Sequence, residues 1–507
     1  MTDILFGQSY FLRFDPKLYA AMQPYPPLGT LFAASYMREA GYQVALFDAM
    51  LAESENEWAA ALDRYHPRFA VLFEDNFNYL SKMCLLNMRE AAFTMTRMAK
   101  DRGIPVIICG ADATDHYEKY LQHGADYVIR GEGELTLHEL MDMLTGKKSL
   151  TPLTPADIQG LAYLDGEGKP VTTLPRAVIK NLDELPMPAW ELVDVEKYRR
   201  IWLERHGYYS INMVTTRGCP YHCNWCAKPI WGQRYNVRSA QNVAQELQWL
   251  KTNFHPDHIW FADDIMGLKP RWIQEFADEI ERLNIRTPFK CLSRADLLLV
   301  EDTIQAMHRA GCKTIWMGAE SGSQKILDAM DKGTAVEQIY ESRRKLAHEG
   351  IEVGFFLQFG YPGETRDDIE LTLKMVRELM PDDIGISVSY PLPGTKFYER
   401  VRQELDEKTN WTDSQDLAML YQGPFPTEFY RQLHTVVHKE YRARKTWRAL
   451  KSGKMNPIKP QNLRRIAAMG YHRLTLGSAR RKLDSLALAQ AQQSHRSTTI
   501  PLTPMNQ

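Results

Sequence analysis

Three cysteines constrain this chain more than any other feature. Cys219, Cys223 and Cys226 stand in Thr216-Arg-Gly-Cys-Pro-Tyr-His-Cys-Asn-Trp-Cys226, at the spacing CxxxCxxC. The chain has seven cysteines in 507 residues, and this spacing arises by chance in roughly one such chain in a thousand. Three thiolates on one short loop can converge on one metal centre. A structural zinc site normally closes with four protein ligands; His222 lies inside the loop, but no CxxC pair follows downstream. An iron–sulfur cluster held by three cysteines keeps one iron open for a further ligand. Three unrelated buried thiols are the remaining reading. Cys84, Cys109, Cys291 and Cys312 are scattered, and an odd, sparse count suits a reducing compartment. The expected location is therefore cytoplasmic: the first residues carry no secretory pattern, and no apolar run reaches the ~18 residues needed to span a bilayer.

The loop sits in a regular surrounding. From Ser210 onward, short apolar runs alternate with helical periodicity: Ile211–Thr216, His258–Ala262, Phe289–Ser293, Thr314–Gly318, Val353–Phe359 and Ile384–Tyr390 read as strands. Six βα units are too few for a closed eight-fold barrel and enough for an open one, in which the loops after the strands build the site. Residues 1–146 show the same alternation, with strand candidates at Ile4–Gly7, Gln43–Asp48, Phe69–Phe73, Pro105–Cys109 and Tyr127–Arg130. They predict a doubly wound parallel sheet with a Rossmann-like layout. Residues 147–205 are turn-rich and read as a linker with one small hairpin around Asp165–Gly168. The predicted core of the second unit is 206–400. Residues 401–489 read as helical, and 490–507 as disordered. The fold class is thus α/β: a doubly wound domain, a partial (βα)6 TIM-type barrel, and a helical C-terminal region.

CxxxCxxC after the first strand of a six-unit barrel, with the aromatic Trp225 before the last cysteine, resembles the radical S-adenosylmethionine (SAM) superfamily. The resemblance implies that Cys219, Cys223 and Cys226 hold a 4Fe-4S cluster whose open iron takes SAM, and that one electron cleaves SAM to a 5′-deoxyadenosyl radical. The cofactors carry the hard chemistry and the protein positions and shields it. Further motifs fall at successive strand ends. Asp263 and Asp264 of Phe261-Ala-Asp-Asp264 would meet the SAM amino group. Ser293 and Arg294 would meet ribose and carboxylate. Glu320 and Ser321 of Gly318-Ala-Glu-Ser-Gly322, Gln358 of Gln358-Phe-Gly-Tyr-Pro-Gly-Glu364, and Pro391 of Tyr390-Pro-Leu-Pro-Gly-Thr395 complete the implied SAM contacts. Any one acidic residue among them could equally be a cap or a structural ion pair. Ser239 reads as the N-cap of the first barrel helix.

A doubly wound domain ahead of such a barrel resembles the cobalamin-binding class of the superfamily. The residues that carry this are Gly29 and Thr30 of Pro26-Pro-Leu-Gly-Thr30, Asp48 of Leu46-Phe-Asp-Ala49, Gly110, Asp112 and Thr114 of Gly110-Ala-Asp-Ala-Thr114, and Gly131, Glu132 and Gly133 in the run His123 to Glu134. The DxHxxG motif that supplies a cobalt-ligating histidine in many cobalamin proteins is absent: His116 follows Asp115, but no glycine stands three residues on. The domain either binds cobalamin without a protein histidine or keeps the fold without the cofactor.

Charge divides the chain. Residues 431–507 hold 16 Lys and Arg against 2 Asp and Glu, while the preceding 430 hold 46 against 61. The tail is either a solvated helical face docked on the acidic body or, over 431–489, a surface for a peripheral membrane or another anionic partner.

The resemblance implies a cobalamin-dependent radical SAM methyltransferase acting on an unactivated carbon or a phosphinate of a small-molecule or lipid-like substrate, fed by an electron donor such as flavodoxin or ferredoxin. The alternatives are an oxidative, ring-forming enzyme of the anaerobic porphyrin cyclase type and a non-catalytic iron–sulfur or cobalamin sensor. A methylthiotransferase needs a second three-cysteine cluster near its N-terminus, and only Cys84 and Cys109 precede the barrel.

Overall fold

The computed structural model describes residues 2–147, 154–405 and 408–497. Strands β1 (Ile4–Gly7), β2 (Val44–Leu46), β3 (Phe69–Phe73), β4 (Val106–Cys109) and β5 (Tyr127–Ile129) form parallel ladders in the order β2-β1-β3-β4-β5. All five residues of β3 are buried, as helices on both faces of a parallel sheet require.

The segment expected to be a linker with one small hairpin around Asp165–Gly168 carries that hairpin, and its two strands join the first sheet. β6 (Leu161–Leu164) pairs antiparallel with β5, and β7 (Pro170–Thr172) pairs antiparallel with β6. The first sheet therefore has seven strands. The same segment carries a twelve-residue helix, Val195–His206, capped by Asp194 and closed by Gly207 in the left-handed region. Its Tyr198 and Trp202 are almost fully buried, so it is packed structure and not free chain.

The second sheet holds six parallel strands in chain order: β8 (Ser210–Met213), β11 (His258–Phe261), β12 (Phe289–Ser293), β13 (Cys312–Glu320), β14 (Glu352–Phe359) and β15 (Asp383–Val388). β9 (Thr216–Arg217) and β10 (Asn236–Val237) form a separate two-stranded ribbon at the base of the cysteine loop. Helices follow the strands. The first, Ala240–Asn253, starts at Ser239, whose side chain accepts from the Asn242 N–H. One sheet face packs on these helices: Ile259, Cys291, Ile315, Met317, Val353 and Phe355 are completely buried among Val243, Phe276, Met307 and Ile339. The other face turns inward and outlines a lumen.

The C-terminal region is a helical hairpin, Thr427–Lys451 and Pro460–Ser497. The helix runs through residues 490–497, which the sequence reading placed in a disordered tail; 498–507 lie outside the described residues. Buried Glu440 gathers Arg377 (2.7 Å), Arg444 (3.0 Å) and Arg480 (2.6 Å). The hairpin is thereby tied to the barrel helix Arg366–Leu379, and a second link joins Arg366 to Asp484 at 2.7 Å. Part of the basic tail is thus docked on the body.

Candidate functional site

The cysteine loop begins at a glycine that no other residue can replace without moving the backbone. Gly218 has φ +82°, and a Cβ there would lie 2.5 Å from the Arg234 carbonyl oxygen. From this turn the loop runs over the carboxyl ends of the barrel strands. Asn224 anchors it on three sides. Its backbone N–H donates to the Met330 carbonyl, its Nδ2 donates to the Ala329 carbonyl, and its Oδ1 accepts from the Tyr361 hydroxyl at 2.8 Å. Trp225 packs with Tyr361, Phe397 and Tyr421.

All three cysteines of the loop are free thiols, partly accessible, whereas the other four are buried. Burial pushes the Cys226 thiol up to about 12, with Asp264 adding and Lys228 opposing, and burial also raises Cys219. Cations stand close by. Arg294 Nη1 lies 3.9 Å from Cys223 Sγ, and the guanidinium stacks over the Tyr221 ring at 3.7 Å. The remaining donors of Arg294 are held by Asp296, the Lys332 and Gly333 carbonyls and Thr334. Buried Lys332 pairs with Glu320 at 2.8 Å. Its pKa is raised despite its burial, by Glu320 and then Cys223. A Cβ at Gly318 would lie within 2.7 Å of both partners of this pair, so glycine is needed there. Three unpaired thiols beside two fixed cations suit an anionic iron–sulfur cluster. Among the described residues no three His, Cys, Asp or Glu side chains converge as they would on a single ion.

The other predicted SAM contacts divide into two groups. Asp264 is accessible and faces the Cys219 and Cys226 thiols. Asp263 is fully buried and accepts from the Thr215 and Thr216 N–H groups at 2.7 and 2.9 Å: it shapes the strand that leads into the loop. Ser293 donates to the Met266 carbonyl, Ser321 bonds to Thr372, and Gln358 donates to Ser389 at 3.0 Å. Pro391 lies buried between Tyr390, whose ring stacks on Trp411 at 4.6 Å, and Leu392.

The carboxyl ends of the N-terminal sheet face the cysteine loop. Here most predicted polar side chains are engaged within the protein. Asp48 accepts from the Tyr198 hydroxyl, and Asp112 is held by Arg89 at 2.7 Å and by Tyr120. Thr114 Oγ1 accepts from the Gly131 N–H. Gly29 donates to Asp75, and Thr30 donates to the Phe73 carbonyl. Gly110 and Gly133 are sites of tight packing: a Cβ at the first would meet Glu74 Cγ at 2.7 Å, and at the second Cys109 Sγ at 2.6 Å. Glu132 has another role. It and Glu134 grip Arg217, the residue before Gly218, at an interface where all three are buried. Arg217 also faces the Phe32 and Phe77 rings at 5.4 and 5.7 Å.

Unsatisfied polar atoms also lie along that edge. Gln8 Nε2, Tyr10 OH, Asn76 Oδ1 and Ser81 Oγ, after β1 and β3, are buried without hydrogen-bond partners, as are His116 Nε2 after β4 and Arg130 Nε after β5. Leaving such atoms unpaired costs about 1–3 kcal/mol each, so they mark where an amide-rich cofactor can bond. Cobalamin fits this donor and acceptor set. Sequence reasoning followed the glycines and missed these residues; the available signal was the run of polar residues after each short apolar strand. Two further N-terminal residues reach the barrel. Lys82 pairs with Asp264. Tyr79 is 60% exposed, yet its hydroxyl is pushed up by desolvation, then by Glu320 and Cys226. Its hydroxyl thus lies within electrostatic reach of Glu320 and Cys226 of the barrel.

Glu364, in the loop after β14, is pushed up to about 8 by burial, although the Gly360 N–H donates to it and Lys325 opposes. A carboxyl raised in this way contributes stability that is fully present below the ordinary glutamate value and is lost as pH rises through about 8. Glu364→Gln removes that loss. Its thermal midpoint should equal wild type near pH 4, below the ordinary glutamate value, and exceed it near pH 9; a difference that does not change with pH rejects this assignment.

Comparison with known proteins gives the following. Residues 213–376 match the model of the radical SAM superfamily, and residues 20–141 match the B12 binding domain. An uncharacterized methyltransferase of Pyrococcus horikoshii is 28% identical over 394 residues, covering 76% of this chain and 81% of that protein. The hopanoid C-3 methylase of Methylococcus capsulatus is 27% identical over 432 residues, covering 83% and 78%. An anaerobic magnesium-protoporphyrin IX monomethyl ester cyclase of Rubrivivax gelatinosus is 24% identical over 392 residues, covering 77% and 68%. Among solved structures, the cobalamin-dependent SAM radical enzyme OxsB with aqua-cobalamin bound superposes with a TM-score of 0.72 at 16% identity, covering 94% of this chain and 72% of that one. That likeness is one of fold.

Proposed function

The chain belongs to the radical SAM enzymes that carry a cobalamin-binding domain, with SAM, a 4Fe-4S cluster and cobalamin as cofactors, and from that premise we propose that it methylates an unactivated carbon or phosphinate centre of a small-molecule or lipid-like substrate. The observation that carries the proposal is the apposition of two strand-end surfaces. The cysteine loop on one and the orphaned Gln8, Tyr10, Asn76 and Ser81 on the other share an interface tied by Arg217 to Glu132 and Glu134, and by Lys82 to Asp264.

Cys219, Cys223 and Cys226 would hold the cluster, and the four orphaned groups would hold cobalamin. When bound, these cofactors supply the electron that splits SAM and a carrier for its methyl group. The chain's own residues do the rest. Arg294 and Lys332 offset negative charge at Cys223. Asp264, accessible beside the thiols, suits the SAM ammonium group. Lys82, reaching across from the first domain, holds Asp264 beside the thiols, and Tyr79 stands next to it. The electron would come from a flavodoxin or ferredoxin.

The test is an anaerobic reaction of the reconstituted chain with cobalamin, SAM, reductant and cell extract. A metabolite heavier by one CH2, formed only with all components, supports methyl transfer. The cyclase relative favours a second reading, ring formation, which predicts SAM cleavage with no methylated product. A sensor predicts a cluster and no SAM cleavage at all.

No helix among the described residues is long and apolar enough to cross a membrane. The C-terminal hairpin nevertheless presents exposed Trp447, Ile458, Leu463, Tyr471 and Leu474 among Arg448, Lys451, Lys454, Lys459, Arg464 and Arg465. Basic charge with exposed apolar side chains suits an anionic lipid surface. The chain should pellet with vesicles of anionic phospholipid and stay in the supernatant with zwitterionic ones; equal partition rejects this partner.

A further inference from the structure

The inward face of the barrel is more open than its outward face. Trp260, Lys290, Leu292, Thr314 and Trp316 are all partly accessible, and Phe356 is 39% exposed, whereas their outward neighbours Ile259, Cys291, Ile315 and Phe355 are at 0%. The ladder registers place them on one surface: Trp260 beside Lys290, Lys290 beside Thr314, Leu292 beside Trp316. Trp316 and Phe356 stack at 4.8 Å between centroids, 29° apart. Two glycines make room for this wall. A Cβ at Gly354 would lie 2.5 Å from the Trp316 indole, and one at Gly385 would lie 3.3 Å from Phe356.

The floor is polar. The Tyr25 hydroxyl bonds to Ser210 Oγ at 3.0 Å, and Ser210 Oγ bonds to His258 Nδ1 at 2.8 Å. Lys290 Nζ lies over the Trp260 ring at 4.7 Å and the Tyr25 ring at 5.3 Å. It has no carboxylate partner among the described residues. Burial pushes its pKa down to about 8, and His258, depressed to about 3 by burial and then by Lys290, is neutral. A desolvated ammonium held by two rings and without a carboxylate partner gains most from an incoming anion. The upper end of the lumen meets Gly318, Glu320 and Lys332, beside Cys223.

We propose that Lys290 is a specificity-determining residue on this face, and that it pairs with an anionic group on a flat apolar acceptor that lies against Trp316 and Phe356. The use of this face in the reaction rests on the catalytic reading above; binding to it does not. A substrate seated with its anion on the floor presents its opposite end at the cysteine loop, where the radical is generated.

The full-length reconstituted chain is titrated with 1-pyrenebutyrate and with the neutral 1-pyrenebutanol, without SAM or reductant. One pyrenebutyrate should bind per chain, at least about tenfold more tightly than the alcohol, as expected of a charge-assisted contact. Lys290→Met should abolish the preference while leaving the alcohol's affinity within about twofold, Lys290→Arg should retain it, and Phe356→Ala should weaken both probes. Equal affinities in wild type, or a preference that survives Lys290→Met, overturn the proposal. Cluster absorbance is recorded for every variant. Failure of the catalytic reading shows as probe binding without SAM cleavage, and failure of this one as the reverse.

Discussion

Cys226→Ala should lose the absorbance near about 410 nm that marks an iron–sulfur cluster, and with it at least about 10³-fold of reductive SAM cleavage, or ~4 kcal/mol in the barrier. The structure explains why the loss should be selective. Cys226 lies on a loop whose position is fixed by Gly218, Asn224 and the packing of Trp225, and its own Sγ makes only a 3.9 Å contact to the Ala227 carbonyl. Removing the thiol leaves those anchors intact, so circular dichroism and cobalamin retention should match wild type. Cys291→Ala is the control. That thiol is fully buried on the helix-facing side of β12 and should be dispensable for the cluster. A Cys226→Ala protein that keeps its iron and cleaves SAM contradicts the site.

Arg217→Met carries the second large expectation. The guanidinium lies at 2.7 Å from Glu134 and in contact with Glu132, with all three side chains no more than 5% exposed. Breaking a buried ion pair by removing one partner typically costs about 3–5 kcal/mol, because the remaining charge is stranded. Here two carboxylates are stranded, at the junction of the two cofactor domains and one residue from the turn into the cluster loop. Hydrogen exchange in peptides spanning β9 to Cys226 should accelerate at least a hundredfold, ~3 kcal/mol of lost local stability. Cluster content should fall as the loop loosens. Neutralising the partners together, Arg217→Met with Glu132→Gln and Glu134→Gln, should recover most of the protection, since a neutral set leaves no stranded charge. Unchanged exchange in the single variant would show that the triad does not hold the interface.

Much of the architecture was legible because it is local. Phe289–Ser293 agrees residue for residue with β12: an apolar run closed by Pro288 before it and Arg294 after it leaves little freedom. β13 was read short, as Thr314–Gly318, because its ladder shifts between Gly318 and Glu320, where Glu320 has φ +55°, and the bulge breaks the side-chain alternation. That β6 and β7 extend the first sheet was not legible, since the pairing of β6 with β5 is between distant segments and leaves no periodic trace. At the site, the cysteine loop was readable from spacing alone. Lys332 was not: it reaches Glu320 from a loop twelve residues on, and nothing in its neighbourhood marks it. On the cobalamin side the glycines drew attention, and in the structure Gly110 and Gly133 report close packing on Glu74, Cys109 and Phe73. Gln8, Tyr10, Asn76 and Ser81 stand in polar runs after apolar strands, but which atoms of those runs go unpaired shows only once burial is known.

The central claim is that one chain spends SAM in two ways, as methyl donor and as radical source, at two facing sites. The most direct test is the fate of SAM itself. The reconstituted chain, supplied with cobalamin, reductant and SAM in a cell extract that contains its acceptor, should produce both S-adenosylhomocysteine, from methyl donation, and 5′-deoxyadenosine, from reductive cleavage. Omitting cobalamin should suppress the first. Formation of 5′-deoxyadenosine alone, with cluster and cobalamin both bound, contradicts methyl transfer and assigns the chain to the ring-forming reading.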